Sequence, residues 1–247
     1  MVEYKIIRDS VHGSIRVDEE FLPLVEAPEL QRLHSIHQLG LAYLVYPGAN
    51  HTRFEHSLGT FAVARRICDS LGLEREEARQ VMAAALLHDI GHLPYSHTFE
   101  MVLHEQFGID HAEISRRLIR GEDTVLSEEE GRTLGRFVSV PEAIERMGLD
   151  PKEVAGLLDA AAAQRRAKGL DRHHGQAHFN SRRYLSQIVS GTVDADQLDY
   201  LVRDAHYTGV AYGGIDLDRL VETFDLVNGD LVIDRGGLSA VECMRVS

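Results

Sequence analysis

Ala85-Leu86-Leu87-His88-Asp89-Ile90-Gly91-His92 closes an apolar helical run that opens at Val81. It closes that run on a His-Asp pair, with Gly91 placed to stop the helix. Successive side chains on a helix point about 100° apart, so in mid-helix the pair could hardly share a target. At a helix end whose apolar body is buried, both can reach one ion lodged beside the terminus. A neutral imidazole and a carboxylate together suit a borderline divalent metal such as Mn, Fe, Zn or Ni. An isolated His-Asp dipeptide is more simply read as a His closing a helix and an Asp bonded to a loop. The rest of the chain has to shift that balance.

The 247 residues suffice for one large domain or two small ones, and 44% hydrophobic residues can build a sizeable core. No apolar run has membrane-spanning length, and Met1-Val2-Glu3-Tyr4-Lys5 has no signal-peptide pattern. Cys68 and Cys243 make neither a disulfide nor a metal framework, which fits a reducing cytoplasm. Any metal is therefore expected on His and carboxylates. A formal charge of −13 argues against nucleic acid as the main partner, whereas a local Arg or a metal still permits a small phosphate substrate. Of the 14 histidines, His51, His56, His88, His92, His97, His104 and His111 crowd into one segment. That clustering is the strongest compositional clue.

Residues 3–8 and 14–17 read as two short strands around Asp9-Ser10-Val11-His12-Gly13. Beyond them the pattern is helical. Asp18 caps a helix through Val25, and Pro28 starts another running to about Ile36. A loop over 46–52 leads into a helix from Arg53 to Leu71, and a helix from Arg75 to His88 delivers the central stretch. Helices are expected over Ser96–Phe107, Asp110–Arg120, 151–168, Asn180–Ser190 and Asp194–Asp204, with the charged region 121–150 covering the outside. His173-His174 falls in a surface loop, and Phe224–Ile233 is a β-hairpin turning at Asn228-Gly229. With no repeat or linker, the expectation is a single domain over 1–247, mainly α, with a short β-hairpin near each end.

Four pieces can converge. His51-Thr52-Arg53-Phe54-Glu55-His56 sets Arg53 and His56 on one helix face. His88-Asp89 is followed by His92 and His97, then Glu100 is followed by His111. Asp194-Ala195-Asp196-Gln197-Leu198-Asp199-Tyr200 opens a helix, Asp194 as its cap, with Tyr200 and Asp204 continuing a face. His56, His88-Asp89 and Asp196, in this order and spacing, resemble the signature of the HD-domain phosphohydrolases, a helical-bundle family. The likeness is closer to the branch of deoxynucleoside triphosphate triphosphohydrolases. Gln31-Arg32-Leu33, Gln38-Leu39-Gly40, Pro47-Gly48-Ala49, Arg53–Gly59, Ser96-His97 and Asp196–Asp204 carry it too, and it weakens between 113 and 180.

The resemblance implies that His56, His88, Asp89 and Asp196 hold a divalent metal, whether Mn, Fe, Mg, Zn or Ni. Such a set leaves coordination sites for water and a phosphate oxygen. It implies that His111 protonates the leaving oxygen, oriented by Glu100, where the mammalian members have Asp. His92 and His97 match positions near the phosphates and the attacking water, and Arg53 one on the phosphate chain. Tyr200 and Asp204 match positions at the sugar, Gln38 and Leu39 positions at its 2′ and 3′ edges. Gln197 replaces a phosphate-binding Lys; His34 and Glu26 replace an Arg and an Asp used to bind an activating nucleotide. The chain also ends mid-helix by pattern, where family members continue with further basic residues. The expected function is hydrolysis of dNTPs to deoxynucleoside and tripolyphosphate by a homo-oligomer, a dimer or tetramer. The alternatives are a phosphomonoesterase or phosphodiesterase on another nucleotide, and a nucleotide-binding regulatory module without turnover.

Overall fold

The structure is a computed structural model that describes residues 3–134, 137–159, 182–210 and 215–245. Strands β1 (Tyr4–Asp9) and β2 (Gly13–Asp18) form an antiparallel hairpin in which Asp9 faces Gly13. Helices α1 (Leu22–Val25) and α2 (Pro28–Gln31) follow, each extended by a 3₁₀ turn, Glu19–Phe21 before α1 and Arg32–Ser35 after α2. The two longer helices expected here are thus broken into single turns. Next come α3 (Arg53–Leu71), α4 (Arg75–Leu87), α5 (Ser96–Phe107) and α6 (His111–Arg120). The chain continues through α7 (Glu128–Leu134), α8 (Val140–Arg146) and α9 (Pro151–Gly156). It then runs through α10 (Arg183–Ser190), α11 (Ala195–Thr208), α12 (Leu217–Val221) and α13 (Leu238–Arg245).

Local chemistry accounts for the helix that matters most. Thr52 accepts from the Glu55 backbone N–H while the Glu55 carboxylate accepts from the Thr52 N–H, a capping box that fixes where α3 starts. Gly72 ends α3 in the left-handed conformation at φ 61°. Phe54, Leu58, Phe61 and Ile67 of α3 are buried with Leu86 and Leu87 of α4, and Phe61 meets Phe21 edge-on at 5.1 Å. Each such side chain contributes roughly 1.5–3 kcal/mol. These contacts belong to one contiguous apolar core reaching from Ile15 to Met244.

Three further expectations need correction. Region 121–150 is an outer cover only in part: its described residues up to 133 are mostly exposed, whereas Val140, Ala143 and Ile144 of α8 are fully buried. The apolar spacing at 140, 143 and 144 outweighs the charge around it. The Ala-rich helix stops at Gly156, followed by a 3₁₀ turn over Leu157–Asp159; residues 160–181, with His173 and His174, lie outside the described residues. Gly91 does not end α4: the helix finishes at Leu87, and tight turns carry the chain through residues 88–91. The second hairpin is as expected, β3 (Phe224–Val227) pairing β4 (Asp230–Ile233) through Asn228 and Gly229 at φ 54° and 81°. Among the described residues, no helix is long and apolar enough to cross a membrane.

Candidate metal centre

The turn after α4 is pinned from two sides. Ser115 of α6 donates to the His88 carbonyl (2.7 Å) and accepts from the Gly91 N–H (2.9 Å), while Arg32 donates to the Ile90 carbonyl. Gly91 is needed for this approach: a Cβ there would stand 2.2 Å from the His111 carbonyl oxygen and 2.4 Å from the Ser115 nitrogen. Its role is contact with α6 rather than helix termination.

His88, Asp89 and His56 of α3 bring their ligand atoms close enough to hold one ion, and Asp196 of α11 stands against both imidazoles. The Nε2 atoms of His56 and His88 are 3.2 Å apart, and Asp196 Oδ1 lies 3.0 Å from the first and 3.5 Å from the second. Asp89 Oδ1 is 3.3 Å from His88 Nε2, and its Oδ2 is 3.9 Å from His56 Nε2. His56, His88 and Asp89 are buried, and Asp196 is half-buried at the mouth.

The donor set fits a divalent cation. The far nitrogen of each imidazole is committed: His88 Nδ1 to the Ala85 carbonyl at 2.8 Å, His56 Nδ1 to Asp199 Oδ2 at 2.7 Å. A carbonyl and a carboxylate only accept, so both Nδ1 atoms carry a proton and Nε2 is the nitrogen each ring turns inward. Two ring nitrogens at 3.2 Å flanked by carboxylates call for a positive charge between them, a proton or a cation. The pKa of His56 makes the same point. Burial pushes it down, yet Asp196 and Asp199 outweigh burial and bring it up to about 10. Burial pushes Asp89 and Asp196 up, but the imidazoles of His88 with His92, and of His88 with His56, hold both carboxyls below the usual range.

Of the remaining expected residues, Arg53, His92 and His111 lie beside Asp89. Arg53 is 2% exposed and donates to Asp89 Oδ2, and His92 Nε2 is 3.3 Å from Asp89 Oδ1. His111 stacks on His92 with ring centroids 3.9 Å apart and 14° between planes. Burial, with Arg53 and His111 nearby, lowers His92 to about 4 despite Asp89, so its ring is neutral at pH 7. His97 and Glu100 fall in α5, their side chains outside the described residues. Gln197 and Tyr200 are half-buried on α11, and burial raises the Tyr200 phenol. Gln38 is buried and Leu39 half-buried; the Gln38 N–H donates to the His51 carbonyl. Asp204 Oδ1 is 2.7 Å from His51 Nε2, so His51 links the Gln38 loop to α11. His34 stacks on Phe54 at 3.7 Å, and Glu26 pairs with Lys5 at the surface.

Sequence reasoning missed the layer behind His56. Asp199 and Arg203 of α11 are fully buried, as is Gly59 of α3, where a Cβ would lie 1.9 Å from Asp199 Oδ1. Burial pushes Asp199 up, but His12, His56 and Arg203 hold it well below the carboxylate range. The signal available was the spacing Asp196, Asp199, Arg203, which follows one helical face. Asp194, expected only as a cap, accepts from the Gln197 N–H (2.7 Å), and burial beside Asp196 pushes its carboxyl up to about 8.

The HD-domain family model matches residues 53–204, more than half of the chain. An uncharacterized protein of Methanocaldococcus jannaschii is 36% identical over 249 residues, covering 98% of this chain and 44% of its own. The human deoxynucleoside triphosphate triphosphohydrolase SAMHD1 is 31% identical over 224 residues, 83% of this chain and 34% of the human protein. A solved phosphohydrolase from Bacteroides thetaiotaomicron superposes with TM-score 0.73 at 34% identity, covering 99% of this chain and 52% of that one. The chain thus spans half or less of the length of these curated relatives. A matching family model and a site assembled from the ends of α3, α4 and α11 lead to one conclusion: this chain belongs to the HD-domain phosphohydrolase family.

Proposed function

We propose that the chain is a metal-dependent phosphohydrolase that cleaves dNTPs to deoxynucleoside and tripolyphosphate. The observation that carries this reading is the convergence of His56, His88, Asp89 and Asp196, with both imidazole Nε2 atoms turned inward. A divalent cation held by these four supplies Lewis acidity toward a phosphoryl oxygen and toward a water molecule. The side chains around it do the rest. Arg53 brings fixed positive charge against Asp89 and meets the phosphate chain. Neutral His92 donates or accepts a single hydrogen bond at a phosphate oxygen, and His97 orients the attacking water. His111, oriented by Glu100, gives its proton to the departing 5′-oxygen. The balance is simple: water oxygen bonds to the α-phosphorus, the bond to O5′ breaks, and O5′ leaves protonated. Tyr200 packs on the sugar and Asp204 hydrogen-bonds it, while Gln38 and Leu39 read its 2′ and 3′ edges. A single domain, a homo-oligomeric state and a cytoplasmic location complete the proposal.

The likeness to the human deoxynucleoside triphosphate triphosphohydrolase supports the dNTP assignment, and Gln197 is the residue that favours a different phosphoester. A product assay with each dNTP and NTP plus Mn²⁺ tests it. Deoxynucleoside with tripolyphosphate is the expected product. Orthophosphate release, or cleavage of another nucleotide alone, assigns a phosphomonoesterase or phosphodiesterase. Thermal stabilisation by nucleotide without any product assigns a regulatory module.

A further inference from the structure

Behind the Nδ1 edge of His56 lies a buried polar cluster that extends outside the segment matched by the family model. Its hub is Asp199, whose side chain is fully buried. Oδ2 lies 2.7 Å from His56 Nδ1 and Oδ1 lies 2.6 Å from His12 Nε2, while Arg203 donates to Oδ2 from Nε (2.8 Å) and to Oδ1 from Nη2 (3.0 Å). Arg203 reaches on to Asp9 at 2.8 and 3.2 Å. Asp9 Oδ1 also accepts from the backbone N–H groups of Val11 and His12, which shapes the turn carrying His12.

A carboxylate between these partners only accepts, so each imidazole nitrogen facing Asp199 is a donor. Asp199 therefore dictates which nitrogen of His56 is left as a lone pair. What keeps the plane of Asp199 fixed is the pair of donors on its other flank, Arg203 and His12. Arg203 has a packing duty as well, bridging α11 to Asp9. His12 comes from the β1–β2 turn, and its ring is 8% exposed at the edge of a cavity of about 580 Å³. Nothing in the apolar core requires an imidazole there.

We propose that His12 is a positioning residue of the metal centre: through Asp199 it fixes the orientation and tautomer of His56, which makes the N-terminal hairpin a working part of the cation site. This rests on the reading of His56, His88, Asp89 and Asp196 as metal ligands, so the test must separate the two.

Mn²⁺ affinity by calorimetry and the Mn²⁺ electron paramagnetic resonance spectrum are measured on the full chain, beside the melting temperature of the metal-free protein. His12→Phe keeps the ring and removes the donor; His12→Gln returns an amide donor. Wild type binds Mn²⁺ and His88→Ala does not. His12→Phe binds roughly 10–100-fold more weakly with an altered spectrum, and His12→Gln recovers most of the loss. Should the phenylalanine variant fail to fold, His12→Asn, too short to reach Asp199, gives the same comparison. Wild-type affinity in His12→Phe overturns the proposal and leaves the ligand assignment standing. So does an affinity loss that only tracks a fall in metal-free melting temperature and is not recovered by Gln. Absence of Mn²⁺ binding in wild type, or its survival in His88→Ala, overturns the ligand assignment and this proposal with it.

Discussion

His56 has acceptors on both edges of its ring, and the two edges have different fates. At Nε2, proton and cation compete for one position between His88 and Asp196; at Nδ1, the proton is fixed by Asp199. That fixed edge depends on Arg203, which is fully buried and pairs with both Asp199 and Asp9. Arg203→Met keeps the length and deletes the charge, leaving two buried carboxylates without it. Urea unfolding should register a loss of about 3–5 kcal/mol at neutral pH. A loss within the scatter of ordinary surface substitutions would mean that the pairing carries no weight. Acid behaviour follows from Asp9. Burial raises its carboxyl, but the hydrogen bond and charge of Arg203, with the His12 and Val11 N–H groups, bring it below 3.8. A depressed folded-state value means the contribution is complete above the unfolded value, about 3.9, and disappears as pH drops through the folded one. The urea midpoint of wild type should therefore decline below about pH 4. Asp9→Asn should start lower at neutral pH and decline less steeply in acid. Parallel curves for the two proteins would contradict this account.

Helices α3, α4, α6 and α11 can share one site only because glycines let their backbones and buried groups come close. Gly91→Ala would drive a methyl into the His111 carbonyl and the Ser115 N–H, at the joint between the α4 turn and α6. The expected outcome is a loss of roughly 1–3 kcal/mol in urea unfolding. Phosphohydrolase activity should fall further than stability explains, because His88 and His111 ride on the two sides of that joint. Gly59→Ala should cost at least as much, since its Cβ would overlap both Asp199 and Arg203, which cannot leave their partners. Much of this architecture is legible in the sequence. The Thr52–Glu55 box, the Asp194 cap and the apolar run from Val81 announce α3, α11 and α4, and the His-Asp pair sits where a helix end can use it. Gly91 and Gly59 are not legible in the same way. A glycine required for close approach looks, in one sequence, like a helix stop or a weak helix former. The Asp9–His12–Asp199–Arg203 cluster is hidden for a related reason: its members come from the two ends of the chain, and local spacing carries no record of burial. The burial of α8 is hidden by the charge that surrounds it.

At the scale of the whole molecule, the proposed ligands come from α3, the turn after α4, and α11 more than a hundred residues on, so the complete donor set exists only when α3, α4 and α11 are packed together. The unfolded chain keeps the same four side chains without their mutual distances, and it binds a cation far less tightly. Metal binding is then folding free energy by mass action. At a free Mn²⁺ concentration about 100 times the dissociation constant, the gain is roughly 2.7 kcal/mol. For a chain of this size that corresponds to a rise of about 5–11 °C in melting temperature. Calorimetric scans with Mn²⁺ and with EDTA should differ by this amount. His88→Ala should abolish the difference, because it removes one of the two inward-facing nitrogens. Arg146→Ala, which takes away an exposed ion pair with Glu142 on α8, should leave the difference intact. If His88→Ala kept the full Mn²⁺ shift, the cation would be bound elsewhere, and the packing of α3, α4 and α11 would owe it nothing.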